Sequence, residues 1–210
     1  MGLSLIAIDL GLRRGRGRAS PWGGMRDIVY FDLETKKSFG DVGGSRNKDQ
    51  MGVSVAVTFS TKTNEYRIYP ENELNDLIDQ LIRADLVVGF NHIDFDYPVL
   101  QGYTILDLAS QTVNLDMLVS LEEKLGHRIK LDAVAGASLG VGKTADGLDA
   151  LKWWQEYQKT GNLEPLLKIA EYCAYDVKVT MMVHQFGVEH GHVKFADRGG
   201  NIQEVKVDWK

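Results

Sequence analysis

Apolar and polar residues follow two different periods along this chain, and the change of period marks the elements. Asp27–Glu34 (DIVYFDLE) packs β-branched and aromatic residues into one short run, which predicts a strand. A polar loop over 38–50 follows, and then Met51–Ser60 and Glu65–Tyr69 read as two more strands joined by a turn. Over Glu71–Ala84 the apolar positions Leu74, Leu77, Ile78, Leu81 and Ile82 fall three and four apart, the spacing of a helix with one buried face. Asp85–Phe90 is the short apolar run of a central strand. Tyr97–Gln101 starts a short helix with Pro98 in its first turn, and Val113–Met117 reads as another strand. The second half predicts helices over Leu118–Leu125, Leu131–Leu139, Asp149–Thr160 and Leu163–Phe186. Two last strands, His192–Ala196 and Ile202–Trp209, form a C-terminal β-hairpin around the turn at 197–201. Strands that give way to helices predict a single α/β domain over 25–210, with a mixed central sheet flanked by helices.

Residues 1–24 fit none of these periods. Their Gly, Arg, Ser and Pro content predicts a flexible segment: a linker, a nucleic-acid-binding arm, or the product of an upstream translation start. Charge sharpens the division. Residues 1–26 hold five arginines against one acid, so the chain from Asp27 onward carries −9 where the whole carries −5. An acidic body argues against broad, non-specific binding to a nucleic-acid backbone, but not against acids that hold metal ions and so recruit phosphates. The single cysteine, Cys173, cannot form an intramolecular disulfide, which suits a reducing, cytoplasmic location. No apolar run approaches the roughly 18 residues that would cross a membrane.

Three segments place acids in apolar, structured surroundings. In Phe31-Asp32-Leu33-Glu34-Thr35 the two acids stand two apart on a strand and therefore share a face, where they repel unless a cation lies between them. In Gly89-Phe90-Asn91-His92-Ile93-Asp94-Phe95-Asp96-Tyr97-Pro98 an apolar strand runs into an acidic loop before a helix start; either Asp94 or Asp96 also suits a helix cap. In the last long helix Tyr172 and Asp176 are four apart and share a face among apolar neighbours, a costly place for an unpartnered acid. Acids from a strand, a loop and a late helix can converge on two hard cations, for which oxygen donors suit Mg²⁺ or Mn²⁺.

This constellation resembles the DEDD superfamily of 3′–5′ exonucleases, which have an RNase H-like fold. Asp32-Leu33-Glu34-Thr35 resembles their first motif and Asn91 with Phe95-Asp96 their second. Tyr172-x-x-x-Asp176 resembles the third in its tyrosine form, DEDDy; the histidine form needs a His where this chain has Glu171. The run from Gly89 to Pro98, and Asp176-Val-Lys-Val-Thr180, are similar to the proofreading domain of family B DNA polymerases. The likeness spans about Asp27 to Gln185.

The resemblance implies an RNase H-like fold and a metal-dependent 3′–5′ exonuclease, acting on single-stranded 3′ ends with DNA favoured over RNA and releasing nucleoside 5′-monophosphates. It implies Asp32, Glu34, Asp96 and Asp176 as metal ligands for two Mg²⁺ or Mn²⁺ ions, with Tyr172 orienting the attacking water. Asp94 competes with Asp96, and the Phe-Asp-x-Pro match favours Asp96. Thr35, Asn91 and Lys143 are expected near substrate, and Asp116 is either a supporting acid or a helix cap. A helicase or another repair or processing protein is the expected partner that delivers the strand end. The alternative is a non-catalytic RNase H-like module for nucleic-acid binding or protein docking.

Other motifs count for less. Gly140-Val141-Gly142-Lys143-Thr144 lacks the upstream glycine of a phosphate-binding loop, because that position is Ala137. His184, His190 and His192 lack the partners of a zinc site. Adjacent Trp153 and Trp154 read as packing rather than as a base-stacking platform.

Overall fold

The computed structural model describes residues 26–142, 147–197 and 199–210. The expected flexibility of residues 1–24 and the substrate role expected of Lys143 lie outside those residues.

Strands β1 (Ile28–Thr35), β2 (Val53–Ser60) and β3 (Glu65–Pro70) form an antiparallel meander. Helix α1 (Leu74–Arg83) then crosses back, and β4 (Leu86–Gly89) pairs in parallel with β1. Two short helices, α2 (Asp96–Leu100) and α3 (Leu108–Gln111), lead to β5 (Asn114–Asp116), parallel to β4. The sheet order is β3-β2-β1-β4-β5, the mixed sheet expected from the sequence. Helices α4 (Met117–Leu125), α5 (Leu131–Leu139), α6 (Gly147–Thr160) and α7 (Leu163–His190) follow, and the hairpin β6 (His192–Ala196) and β7 (Ile202–Lys206) closes the chain. Helix α3 was not legible, since four residues cannot establish a period.

The alternation of β1 sorts the core. Val29, Phe31 and Leu33 face one side, packing with Leu74, Leu77 and Leu81 of α1. Ile28 and Tyr30 face the other, packing with Ile169, Cys173 and Val177 of α7 and with the hairpin. Asp32 and Glu34 continue this second face toward the end of the strand. Helix α7 begins cleanly because Asn162 accepts the Glu164 N–H at 3.0 Å, and it stops at Gly191, whose φ of 70° is the left-handed cap that glycine tolerates best. Among the described residues, no helix is long and apolar enough to cross a membrane.

The C-terminal residues lock this arrangement. Trp209 is buried; its indole N–H donates to Ser120 Oγ at 2.9 Å, and its carbonyl lies 3.1 Å from His184 Nε2. The other ring nitrogen of His184 meets the Tyr30 hydroxyl at 2.9 Å, which ties sheet, helix and C-terminus together. Trp209 seats over Gly187, where an added Cβ would stand 2.4 Å from the ring. Gly187→Ala is therefore expected to cost about 1–3 kcal/mol by overpacking. Urea unfolding followed by tryptophan fluorescence checks this.

Candidate active site

The site forms where the C-terminal ends of the parallel strands β1 and β4 meet α7. β4 pairs with β1 only as far as Tyr30↔Val88. Past that point the Leu33 N–H has no β4 partner and donates instead to Asp96 Oδ1 at 3.2 Å. On the opposite edge of β1, the register with β2 shifts between Glu34 and Thr35. The skipped residue, Ser54, donates its hydroxyl to the Glu34 carbonyl at 3.0 Å. The resulting bulge turns the strand end where the two acids sit, a common device beside functional sites.

Asp32, Glu34 and Asp176 converge: each offers a carboxylate oxygen, and these oxygens lie within 4.8 Å of one another. Asp96 is buried at the first residue of α2 and lines the same cleft of about 330 Å³ with those three. Loss of hydration, then the charges of Asp96, Asp176 and Glu34, push the Asp32 carboxyl well above the usual carboxylate range. Burial, then Asp176 and Asp96, do the same to Glu34. Asp96 is raised to about 7, first by burial and then by the charge of Asp116, against the lowering effect of the Leu33 N–H. So crowded an all-oxygen donor set fits hard divalent cations, whose charge would relieve the repulsion.

Tyr172, one turn before Asp176, hydrogen-bonds to it and senses the charges of Glu34 and Asp32; burial and these charges push its pKa further above the ordinary tyrosine value. Cys173 lies on the same turn. Its buried thiol reaches the Asp32 carbonyl at 3.4 Å and Oδ2 at 3.6 Å. Burial first, then the charge of Asp32, raises its pKa, which favours the protonated thiol that contacts Asp32.

The loop between β4 and α2 separates the two competing acids. Asp94 is exposed and lies 3.5 Å from Arg128 Nη1, whereas Asp96 turns into the cleft. Asn91 makes the turn with a φ of 75°, a conformation Asn tolerates better than most residues. Asp116 holds the loop from beneath. Its Oδ1 accepts the Asn91 N–H at 2.8 Å and its Oδ2 the Ile93 N–H at 3.0 Å, while Oδ1 also caps α4 through Leu118 and Val119. The cap expected of Asp116 is formed, and the same carboxylate anchors the loop that leads to Asp96. His92 is wholly buried beside it, 3.1 Å from Asn114 Oδ1 through Nε2, and packs so closely over Gly89 that a Cβ there would lie 2.7 Å from Nδ1.

Thr35 and Asn91 line the cleft, though the Thr35 hydroxyl donates to the Lys37 carbonyl at 3.0 Å and the Asn91 amide oxygen accepts from Arg128. Phe39 and Phe95, edge to face at 5.9 Å, and Leu148 form part of its apolar wall. The discounted motifs have other duties. Gly140 is the left-handed C-cap of α5, His184 is bonded in the core, and Trp154 is buried with the Lys36 ammonium 4.9 Å from its ring centre. Sequence reasoning missed the contributions of Cys173, Ser54 and Arg128.

A family model described as the RNase H superfamily matches residues 29–186. Among solved structures, the family B DNA polymerase from the hyperthermophilic archaeon Pyrobaculum calidifontis aligns with a TM-score of 0.57 at 17% identity, covering 78% of this chain. The match takes in 24% of that polymerase, so the two share a fold over a quarter of its length. No curated protein matches the chain by sequence.

Proposed function

Because the chain belongs to the RNase H superfamily and lines one cleft with four acids, we propose that it is a DEDDy-type, divalent-metal-dependent 3′–5′ exonuclease acting on single-stranded nucleic acid. DNA is the preferred strand and nucleoside 5′-monophosphates are the products. The observation that carries this reading is the convergence of Asp32, Glu34 and Asp176, with Tyr172 hydrogen-bonded to Asp176.

Asp32, Glu34 and Asp176 would hold one Mg²⁺ or Mn²⁺ ion, and Asp96 with Asp32 a second. Divalent cations there supply acidity to the attacking water and offset charge on the phosphodiester. The protein's own part is positioning. Tyr172 stays protonated at neutral pH, so it orients the water by hydrogen bonding and does not act as a base. Cys173 and the Leu33 N–H fix the rotamers of Asp32 and Asp96. A cleft of about 330 Å³ suits one terminal nucleotide, whose base has the Phe39–Phe95 wall to lie against. A helicase or processing protein would present the 3′ end.

Linear and covalently closed circular single strands separate an exonuclease from an endonuclease: the linear strand alone is expected to be consumed, and nicking of the circle would contradict the reading. Tyr172→Phe is expected to lower kcat roughly ten- to a hundredfold, the size of a positioning defect. It should leave the melting-temperature gain from Mn²⁺ unchanged. An unaltered rate would remove Tyr172 from the mechanism.

A further inference from the structure

A second groove, about 670 Å³, lies between the α4–α5 connection and the hairpin. Its rim carries His127, Arg128 and Lys130, and its lining also includes the half-buried Ile129, the buried Phe195 and the exposed Ala196. All three rim residues are exposed in a chain whose body is acidic. Lys130 has no ion pair among the described residues. Among the described lining residues the acid is Asp197, an anion whose oxygens accept from the Gly199 and Asn201 N–H groups and from Gln203 in the hairpin turn. Arg128 is itself paired with Glu122 at 3.1 Å and Asp94 at 3.5 Å, so Lys130 is the rim cation with its charge open to a ligand.

One side-chain contact links the groove to the carboxylate cleft. Arg128 lines the groove, donates through Nη2 to the Asn91 side chain, and is braced by Glu122 at 3.1 Å. Asn91 in turn lines the cleft. A strand whose last nucleotide occupied the cleft would have its next phosphates beside this rim, where cations can pair with them and apolar lining groups can contact bases.

We infer that the groove rimmed by His127, Arg128 and Lys130 binds the phosphodiester backbone of the single strand on the 5′ side of the terminal nucleotide. This rests on the exonuclease reading for the strand's direction, while the binding itself is measurable without catalysis. A phosphate backbone is favoured over an acidic peptide because Arg128 of the groove contacts Asn91 of the acid-lined cleft.

The test is fluorescence anisotropy of 5′-fluorescein dT₁₂ in EDTA, where hydrolysis cannot occur, with the wild type, Lys130→Gln and Lys130→Glu. Lys130 touches neither Asn91 nor the acids in any contact described above. Lys130→Glu is expected to weaken binding roughly tenfold, and Lys130→Gln to flatten the dependence of log Kd on log salt by about 0.7. Hydrolysis of the p-nitrophenyl ester of thymidine 5′-monophosphate, which has no upstream phosphates, should be the same in all three proteins with Mn²⁺. Unchanged Kd in both variants would overturn the inference, as would a parallel loss on the ester. Displacement of dT₁₂ by polyglutamate of matched charge as readily as by unlabelled dT₁₂ would reassign the groove to acidic peptides. Binding that depends on Lys130 without any hydrolysis would uphold the groove and remove the exonuclease.

Discussion

Asp32→Asn is expected to abolish hydrolysis, by at least about a thousandfold, while making the metal-free protein more stable. The first effect follows from its position, because Asp32 is one of three acids whose oxygens lie within 4.8 Å of one another and it feels the charge of Asp96 as well. A metal centre of this kind supplies several kcal/mol of transition-state stabilisation, and each 1.36 kcal/mol is tenfold in rate. The second effect follows from repulsion. Asn keeps the shape of Asp but removes a charge that burial and three neighbouring carboxylates oppose. A gain of about 1 kcal/mol would raise Tm by about 2–4 °C in a chain of this size. The variant should also lose most of the thermal shift that Mn²⁺ gives the wild type. A simple folding defect predicts the opposite sign, so calorimetry in EDTA and in Mn²⁺ separates the two.

The second large effect is on pH. Asp32, Glu34 and Asp96 have pKa values raised in the folded chain, so the fold binds protons more tightly than the unfolded chain does. Their contribution to stability is present below the ordinary carboxylate range and is lost as pH rises through the folded values, about 7 for Asp96. The metal-free protein should therefore lose stability between pH 6.5 and 8, by roughly 1 kcal/mol from Asp96 alone. Below that window the buried histidines oppose the trend. His184, lowered to about 4 by burial, and His92, also lowered by burial, both disfavour the fold as they are forced to protonate. Saturating Mg²⁺ or Mn²⁺ should flatten the fall seen in EDTA above pH 6.5, since the cation takes the place of the protons. Asp96→Asn should remove part of that fall. Differential scanning fluorimetry from pH 5 to 8 reads all three, and a Tm that rises from pH 6.5 to 8 in EDTA would contradict the electrostatic account of the cleft.

What could be read from the sequence is what local periods encode. The alternation of DIVYFDLE placed Asp32 and Glu34 on one face, and the four-residue spacing placed Tyr172 and Asp176 on another. The mixed sheet followed from the order of the elements, and the C-terminal hairpin from its turn. Contacts between residues far apart in the chain were not readable in this way. Cys173 meets Asp32 across 141 positions because α7 crosses β1 at that turn, and nothing in Cys173's neighbours announces it. Arg128 meets Asn91 across 37 positions through a loop without periodicity. Asp94 and Asp96 differ by two residues in a non-repeating segment, so only the folded turn sends one to Arg128 and the other to the Leu33 N–H. Asp116 was ambiguous because a supporting acid and a helix cap call for the same side chain; in the fold it caps α4 and also anchors the loop at Asn91 and Ile93.

We propose that the clustered acids cut nucleic acid from its 3′ end. One experiment tests it most directly: 5′-labelled single-stranded DNA and RNA, incubated with Mg²⁺, Mn²⁺ or EDTA and resolved at nucleotide resolution, with Asp32→Asn alongside. The expected result is a ladder that shortens one nucleotide at a time from the 3′ end, faster on DNA, that requires the metal and is absent in the variant. Intact strands under both metals, or a ladder that persists in Asp32→Asn, would contradict it.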